Sequence, residues 1–183
     1  YREVKRKGNM ENFDIIIIGS GGGTKIARPA ADLGYKVALI EKEALGGTCL
    51  NRGCIPSKML IHPADQIHHI KHAPKINVAA DPNPRMQFNE LIERITDTVA
   101  DISDSLAPPY EKHSNIELIL GEAAFTGNHS ITVNERALSA DRIFIAVGTR
   151  PQIPEIEGLE GTPYMTNREA LRNTELPERM FVI

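Results

Sequence analysis

Both cysteines of this chain lie in one short segment at positions 46–58, G-G-T-C-L-N-R-G-C-I-P-S-K, and this segment restricts the possible folds most strongly. Four residues separate Cys49 from Cys54. A disulfide between them requires Cα atoms roughly 4.4–6.8 Å apart, whereas five extended steps would carry the chain about 16 Å. The segment must therefore turn back on itself, and Asn51 and Gly53 are residue types that permit such a turn.

A helix is predicted to follow this turn, at about 54–72. Pro56 and Ser57 suit the first turn of a helix, where a missing backbone N–H costs nothing. Cys54 would then lie near the helix N-terminus, where the helix dipole places roughly half a positive charge. That charge favours a thiolate. The pattern therefore predicts a redox-active cysteine pair.

Other interpretations of the cysteine pair are a static structural disulfide, half of a zinc site, or two buried inert thiols. The chain has no second cysteine pair and no histidine at a suitable spacing for zinc. Residues 1–9 are basic and polar and lack the apolar core of a signal peptide. Without an oxidising, secreted context, catalytic redox use is favoured over a structural bridge.

A glycine-rich turn precedes the cysteines and lies between two predicted strands. Positions 13–18 and 37–40 are short apolar runs that indicate strands buried on both faces, and a helix is predicted at about 24–33. The turn G-S-G-G-G-T between them suits the pyrophosphate of a dinucleotide, because glycines let the backbone approach it and the helix N-terminus supplies N–H donors. Glu41 follows the first glycine at close to the spacing of about 20 expected for an acid that binds ribose hydroxyls.

The glycine motif departs from the usual G-x-G-x-x-G pattern. Gly19 and Gly21 match the first two glycines, but Thr24 occupies the third position. The third glycine normally allows close packing of the helix on the strand, so we expect the helix to stand slightly off the sheet, and Gly22 and Gly23 to add flexibility to the turn. A glycine turn without a ligand is the alternative, and the cysteine pair a few residues later favours the nucleotide site.

The later part of the chain predicts more strands and one long helix. The strands are expected at 116–120, 123–126, 131–133 and 143–147. The turn residues Gly127 and Asn128 indicate that the middle strands form a small antiparallel β-meander laid over the sheet. Apolar residues keep helical spacing over about 87–106, and two prolines are expected to stop that helix, which we interpret as packing only. The fold class is α/β, with a parallel sheet, helices and a meander.

Charge and composition exclude several function classes. The net charge of −3 does not favour nucleic acid, and no apolar run reaches the about 18 residues of a membrane span. We expect a cytoplasmic protein. His68 and His72 have the i, i+4 spacing of a metal pair, but the sequence offers no clear third ligand near them, so no metal is expected.

The motif G-G-T-C-x-N-x-G-C-x-P-S-K resembles the active site of the pyridine nucleotide-disulfide oxidoreductases. The resemblance extends from about Asn12 to Ile183 and is weakest at 71–109. It includes a G-x-x-x-F pattern at 121–125 and A-V-G-T-R-P at 146–151, which is similar to the second FAD motif of the family. It implies a Rossmann-like FAD/NAD(P)-binding domain that is truncated.

The resemblance also implies roles for individual residues. Cys49 would be the interchange thiol that attacks or releases substrate, and Cys54 the charge-transfer thiolate against the flavin. Lys58 would lie beside the flavin, one helical turn after Cys54, and the backbone of Ala123 would contact the adenine. The complete set of implied FAD contacts is Gly19, Gly21, Gly23, Thr24, Glu41, Lys42, Gly47, Thr48, Lys58, Ala123, Ala146, Gly148 and Thr149.

The resemblance covers less than half of a family member. We expect a flexible tail at 1–11, an FAD-binding domain with the dithiol at 12–150, and a connection to the nicotinamide domain at 151–183. The NAD(P) site and the interface domain of a homodimeric parent would lie beyond Ile183, as would a return segment that completes the FAD domain. The chain alone is therefore expected to lack NAD(P)H-dependent turnover.

The substrate is predicted from the residues between the cysteines. With Arg52, C-L-N-R-G-C-I-P-S-K is most similar to dihydrolipoyl dehydrogenases, whose partner is a small-molecule or lipoyl-protein dithiol. Mercuric reductases and mycothione or glutathione reductases share nearly the same motif. Two further alternatives are a non-catalytic FAD-binding module and a flavin-free thiol–disulfide exchange protein.

Overall fold

The computed structural model describes residues 10–183. The described chain forms two compact units. The sheet unit consists of residues 10–47 and 103–149, and the helical unit consists of residues 48–102 and 150–183. Residues 1–9 of the predicted tail lie outside the described residues, and the predicted domain bounds stay predictions.

The sheet unit is built on a mixed β-sheet, which has six strands within the described residues. The strands are β1 Glu11–Ile18, β2 Val37–Glu41, β3 Ile116–Leu120, β4 Ala124–Gly127, β5 Ser130–Val133 and β6 Arg136–Ile145. Their order across the sheet is β3-β2-β1-β6-β5-β4. The β3, β2, β1 and β6 strands run parallel, whereas β4, β5 and β6 pair antiparallel. The predicted α/β fold, with a parallel sheet and an antiparallel meander, is confirmed.

The meander differs from the prediction in its position. It continues the edge of the main sheet and does not lie over it, because β6 pairs with β1 on one side and with β5 on the other. This double pairing is possible because β6 has 10 residues and begins at Arg136, well before the predicted start at 143. The first half of the strand was not predicted because the polar residues Ser139 and Asp141 interrupt its apolar pattern.

The sheet buries apolar side chains on both faces. Along β1, Ile16 and Ile17 are both fully buried but belong to different clusters, since neighbouring side chains of a strand point to opposite faces. The cluster that contains Ile17 includes Ala27 and Ala31 of helix α1, which spans Thr24–Asp32. A further short helix of this unit, α5, spans Ala107–Glu111.

The helical unit contains the segment with both cysteines. Helix α2 spans Gly47–Arg52, α3 spans Cys54–His72, α4 spans Phe88–Asp104 and α6 spans Asn167–Ala170. Short 3₁₀ turns span Ala73–Ile76 and Leu159–Gly161. Leu91, Ile95 and Val99 of α4 form a small core with Met59 and Leu60 of α3.

The helix predicted at 54–72 is confirmed at both ends, and the long helix at 87–106 is confirmed with slightly shorter bounds. The two prolines expected to stop the long helix lie instead within α5. Proline is tolerated there because it occupies the first turn, where its missing N–H has no partner to lose. Within residues 10–183, no helix is both long and apolar enough to span a bilayer.

An ion-pair network joins strands of the sheet. The Arg136 guanidinium donates from Nε and Nη2 to the two carboxylate oxygens of Glu11, at 2.8 and 2.6 Å. Nη2 also donates to Oε1 of Glu117 at 2.7 Å. The hydrogen bond from Arg136 holds the pKa of the Glu11 carboxyl below its ordinary value. The network therefore links β6 to β1 and, across the sheet, to β3.

We predict that Arg136→Met makes stability less dependent on acid pH. The pKa of Glu11 is lowered in the folded state, so its ionised form stabilises the fold. This contribution to the free energy of unfolding is fully present above the pKa of the unfolded carboxyl and is lost as the pH falls through the pKa of the folded state. Urea unfolding should show a lower midpoint for the variant at neutral pH and a shallower decline below about pH 5. Arg142→Met, at an exposed position of the same strand, is the matched control. Parallel pH profiles for wild type and Arg136→Met would contradict the prediction.

Candidate functional site

The carboxyl end of β1 approaches the carboxyl end of β6 through backbone atoms alone. Gly19 has a φ of +103°, in the left-handed region, and a Cβ on it would overlap the carbonyl oxygen of Ala146. The Ala146 N–H donates to the Ile18 carbonyl at 2.8 Å. A side chain at Gly19 would therefore separate the two strand ends, so glycine is required here by both space and conformation.

Gly23 provides the close contact between the glycine turn and β1. A Cβ on Gly23 would overlap the Gly19 carbonyl oxygen and would lie 2.5 Å from Cγ2 of Ile17. The Thr24 hydroxyl donates back to the Gly21 carbonyl at 3.1 Å. Thr24 therefore does not hold α1 off the sheet, contrary to our expectation, because the residue that faces the strand is the glycine before it.

Gly21 and Gly47 bring two distant stretches of backbone together. A Cβ on Gly47 would lie 2.6 Å from the Gly21 Cα, and Gly47 has a φ of +65°. This contact places the end of the loop that follows β2 directly on the glycine turn. The chain continues from Gly47 through Thr48 to Cys49.

Ser20 connects the glycine turn to Glu41 and was missed by the sequence analysis. Its fully buried hydroxyl donates to Oε2 of Glu41 at 2.6 Å and accepts from the Gly46 N–H at 3.0 Å. The Ser20 N–H also donates to Oε2 at 2.9 Å, and the Glu43 N–H donates to Oε1 at 3.0 Å. Glu41 is therefore held in one orientation at the end of β2. A polar residue between the first two glycines was the available signal.

The remaining predicted contacts in the sheet unit lie at the ends of strands. Lys42 forms an ion pair with Glu122 at 3.0 Å, and both side chains are exposed. Ala123, just before β4, packs against the apolar cluster of one sheet face. Gly148 has a φ of +66° with open space around it, and Thr149 is exposed.

The sheet unit fits a dinucleotide such as FAD. A glycine turn follows β1 at the start of the nine-residue helix α1, and a Cβ on Gly22 would meet no atom within 4 Å. This bare turn can accept a pyrophosphate, because such a group binds at a helix N-terminus approached through glycines. Glu41 at the end of β2 is held by hydrogen bonds from Ser20 and Glu43, and Gly148 leaves a second open stretch of backbone.

The cysteine segment turns through two helices. Helix α2 ends at Arg52, Gly53 reverses the chain, and Cys54 begins α3. A Cβ on Gly53 would lie 3.0 Å from the Thr48 carbonyl oxygen, so the turn is tight. The predicted turn is confirmed, but its first half is a short helix that the sequence analysis did not predict.

Cys49 and Cys54 are exposed thiols that interact with each other. A hydrogen bond with the Cys54 sulfur is the main reason that the pKa of Cys49 is raised above its ordinary value. Desolvation and the charge of Cys54 act in the same direction, whereas the positive charge of Lys58 acts in the opposite one. The Cys49 thiol is therefore harder to ionise than an isolated cysteine, and the cause is its contact with the second thiol of the pair.

Two histidines of α3 form a stacked pair. The rings of His68 and His72 stack with centroids 4.1 Å apart, and Nδ1 of His72 lies 2.8 Å from the His68 carbonyl oxygen. Over residues 10–183, His, Cys, Asp and Glu side chains do not assemble in groups of three or more that could hold a metal ion.

The chain is similar to flavin-dependent disulfide reductases. Residues 13–183 match the profile of the family described as pyridine nucleotide-disulphide oxidoreductase. Mercuric reductase from Lysinibacillus sphaericus is 36% identical over 96% of this chain and 32% of its own length. Dihydrolipoyl dehydrogenase from Thermus scotoductus is 34% identical over 95% of this chain and 37% of its own length.

A solved structure supports the same assignment. The HOCl-induced flavoprotein disulfide reductase RclA from Escherichia coli superimposes with a TM-score of 0.74 at 32% identity. The match covers 90% of this chain and 35% of that protein. This chain therefore spans about a third of the length of the proteins it resembles.

We predict that Ser20→Ala destabilises the fold. The change leaves the Gly46 N–H and the partly buried Glu41 carboxylate each without the partner that the fully buried Ser20 hydroxyl provides. The expected loss in the free energy of unfolding is about 1–3 kcal/mol, measured by urea denaturation. Ser139→Ala, which removes a single exposed hydrogen bond to Asn12, is the control and should change little. Equal effects of the two variants would contradict the assigned role of Ser20.

We predict that Cys54→Ala speeds alkylation of Cys49 near neutral pH. Removing the Cys54 sulfur removes the hydrogen bond that raises the pKa of Cys49, so more thiolate is present at a given pH. Iodoacetamide labelling followed by mass spectrometry should show a severalfold faster rate. Lys58→Met in the wild-type background should slow labelling, because Lys58 acts in the opposite direction. A slower rate in Cys54→Ala would show that the interaction has the wrong sign.

Proposed function

The chain belongs to the pyridine nucleotide-disulphide oxidoreductase family, and we propose that it is the FAD-binding, dithiol-bearing part of an enzyme that transfers electrons between NAD(P)H and a dithiol or disulfide. Proteins of this family use FAD and NAD(P)H. The observation that carries the proposal is that two features follow each other closely along the chain. The first is the glycine turn after β1, with Glu41 held by Ser20, and the second is the hydrogen-bonded pair Cys49 and Cys54.

In this proposal the sheet unit holds the cofactor. The turn from Gly19 to Thr24 would bind the pyrophosphate, and Glu41 would accept hydrogen bonds from ribose hydroxyls. The backbone of Ala123 would meet the adenine. The proposed FAD contacts of the sheet unit also include Lys42, Gly47, Ala146, Gly148 and Thr149. When bound, FAD supplies a ring that passes electrons between the nicotinamide and the dithiol.

The two cysteines would divide the exchange chemistry. A thiolate of a dithiol substrate attacks the Cys49 sulfur of the oxidised pair, and Cys54 leaves as a thiolate. The second substrate thiolate then attacks the substrate sulfur of the mixed disulfide, releasing Cys49, so that the substrate is oxidised and the pair reduced. The hydrogen bond between the thiols supports this division, because it distinguishes the two cysteines by raising the pKa of Cys49 above its ordinary value.

Two classes of substrate are candidates, a lipoyl or small-molecule dithiol and a soft metal ion. The motif C-L-N-R-G-C-I-P-S-K favours dihydrolipoyl dehydrogenase, a name that the similar protein from Thermus scotoductus carries. Mercuric reductases from Lysinibacillus sphaericus and Shigella flexneri, 36% and 34% identical, favour a soft metal ion as the second candidate, since thiolates prefer such ions. A lipoyl or small disulfide partner, a homodimeric parent and a cytoplasmic location remain parts of the proposal.

The cofactor assignment is tested by replacing Glu41. We predict that the chain binds FAD and that Glu41→Ala weakens binding about tenfold or more, because hydrogen bonds to a charged group contribute about 1.5–3 kcal/mol. Quenching of FAD fluorescence during a titration gives the dissociation constant. Glu135→Ala, in the exposed turn between β5 and β6, removes the same charge elsewhere and should leave binding unchanged. Equal binding by both variants would contradict the role of Glu41.

A further inference from the structure

A residue distant in the sequence contacts the turn between the two cysteines. Nδ2 of Asn167 donates to the backbone carbonyl of Arg52 at 2.7 Å. Arg52 lies three residues after Cys49 and two before Cys54, while Asn167 is 115 positions further along the chain. Both partners belong to the helical unit. The contact therefore ties the middle of the cysteine segment to another part of the same compact unit.

The Asn167 contact falls at the end of a helix. Arg52 is the last residue of α2, directly before the Gly53 turn that leads to Cys54, so a hydrogen bond to its carbonyl acts on the turn itself. On the inner side, the turn is filled by the close approach of Gly53 to the Thr48 carbonyl. The turn therefore has two contacts: the close approach of Gly53 to the Thr48 carbonyl, which prevents it from tightening, and the hydrogen bond from Asn167 to the Arg52 carbonyl.

Asn167 is itself held in place by the start of α6. The Thr166 hydroxyl accepts from the Arg168 N–H at 3.2 Å, and Glu169 accepts from the Thr166 N–H at 2.8 Å. This reciprocal capping box fixes the first turn of the helix. Hydrogen bonds from Thr166 also hold the pKa of Glu169 below its ordinary value, so the cap is charged at neutral pH.

We propose that Asn167 is a positioning residue, which holds the Arg52 carbonyl and thereby keeps Cys49 and Cys54 at the separation from which a disulfide closes. The inference rests on the proposed redox role of the pair. A loop with fewer accessible conformations brings its two thiols together more often, which raises their effective concentration. Removing the amide should therefore disfavour the disulfide relative to the open dithiol.

The test is the equilibrium between the chain and dithiothreitol. Cys49 and Cys54 give two electrons and two protons to oxidised dithiothreitol, which forms the protein disulfide and reduced dithiothreitol. We expect Asn167→Ala to lower this equilibrium constant severalfold, with about tenfold as the upper bound, because only the part of one net hydrogen bond that differs between the dithiol and the disulfide is measured. Acid quenching, thiol labelling and mass spectrometry count the two redox forms at each buffer ratio, and circular dichroism confirms that each variant is folded.

Two further variants at this position make the test specific. Asn167→Asp keeps the size of the side chain but loses the donor, and should match Asn167→Ala even if the alanine variant folds poorly. Asn167→Gln keeps the donor and should restore part of the equilibrium. Alkylation of Cys49 gives a second readout, because a looser turn weakens its hydrogen bond to Cys54 and moves the labelling profile to lower pH.

Asn173→Ala is the matched control. It removes an amide of the same segment, whose Nδ2 donates locally to the Glu175 carbonyl at 2.7 Å. If the Asn167 and Asn173 variants have the same equilibrium constant as wild type, the inference is wrong while the redox pair stands. If the wild-type chain forms no disulfide, the redox part of the proposed function fails as well. Neither readout requires FAD, so a failure of FAD binding would leave the result interpretable.

Discussion

The sheet unit depends on two close contacts between backbone atoms, which glycine makes possible because it has no side chain. Gly19 meets Ala146 and Gly47 meets Gly21, with no space for a side chain on Gly19 or on Gly47. These contacts bring the turn after β1, the end of β6 and the loop after β2 to one edge of the sheet. Ser20 can therefore reach both Glu41 and the Gly46 N–H. The orientation of Glu41, and with it the proposed cofactor site, follows from the missing side chains.

Much of this arrangement could be predicted from local patterns. Apolar runs predicted β1 and β2, and Pro56 and Ser57 after Cys54 predicted the start of α3. Gly23 shows why the glycine motif did not predict which residue packs the helix on the strand. The pattern G-x-G-x-x-G assigns close packing to its third glycine, but contact with Ile17 depends on which residue faces the strand, and this is set by the path of the turn.

Other features could not be predicted because they depend on partners distant in the sequence. The first half of β6 is a strand because β1 and β5 pair with it on both sides, although its own residues are partly polar. Asn167 lies in a segment that predicted only a connection, and its contact with Arg52 exists only in the folded helical unit. Pair interactions of this kind leave no periodic signal in one sequence.

The visible absorption spectrum of the purified chain tests the central claim most directly, that one short chain carries both a flavin cradle and a working dithiol. The chain is mixed with FAD, passed through a desalting column and then treated with dithiothreitol under nitrogen. The account predicts that yellow FAD stays with the protein and that a long-wavelength shoulder develops on reduction, but not in Cys54→Ala. A colourless protein, or a shoulder that survives in Cys54→Ala, would contradict it.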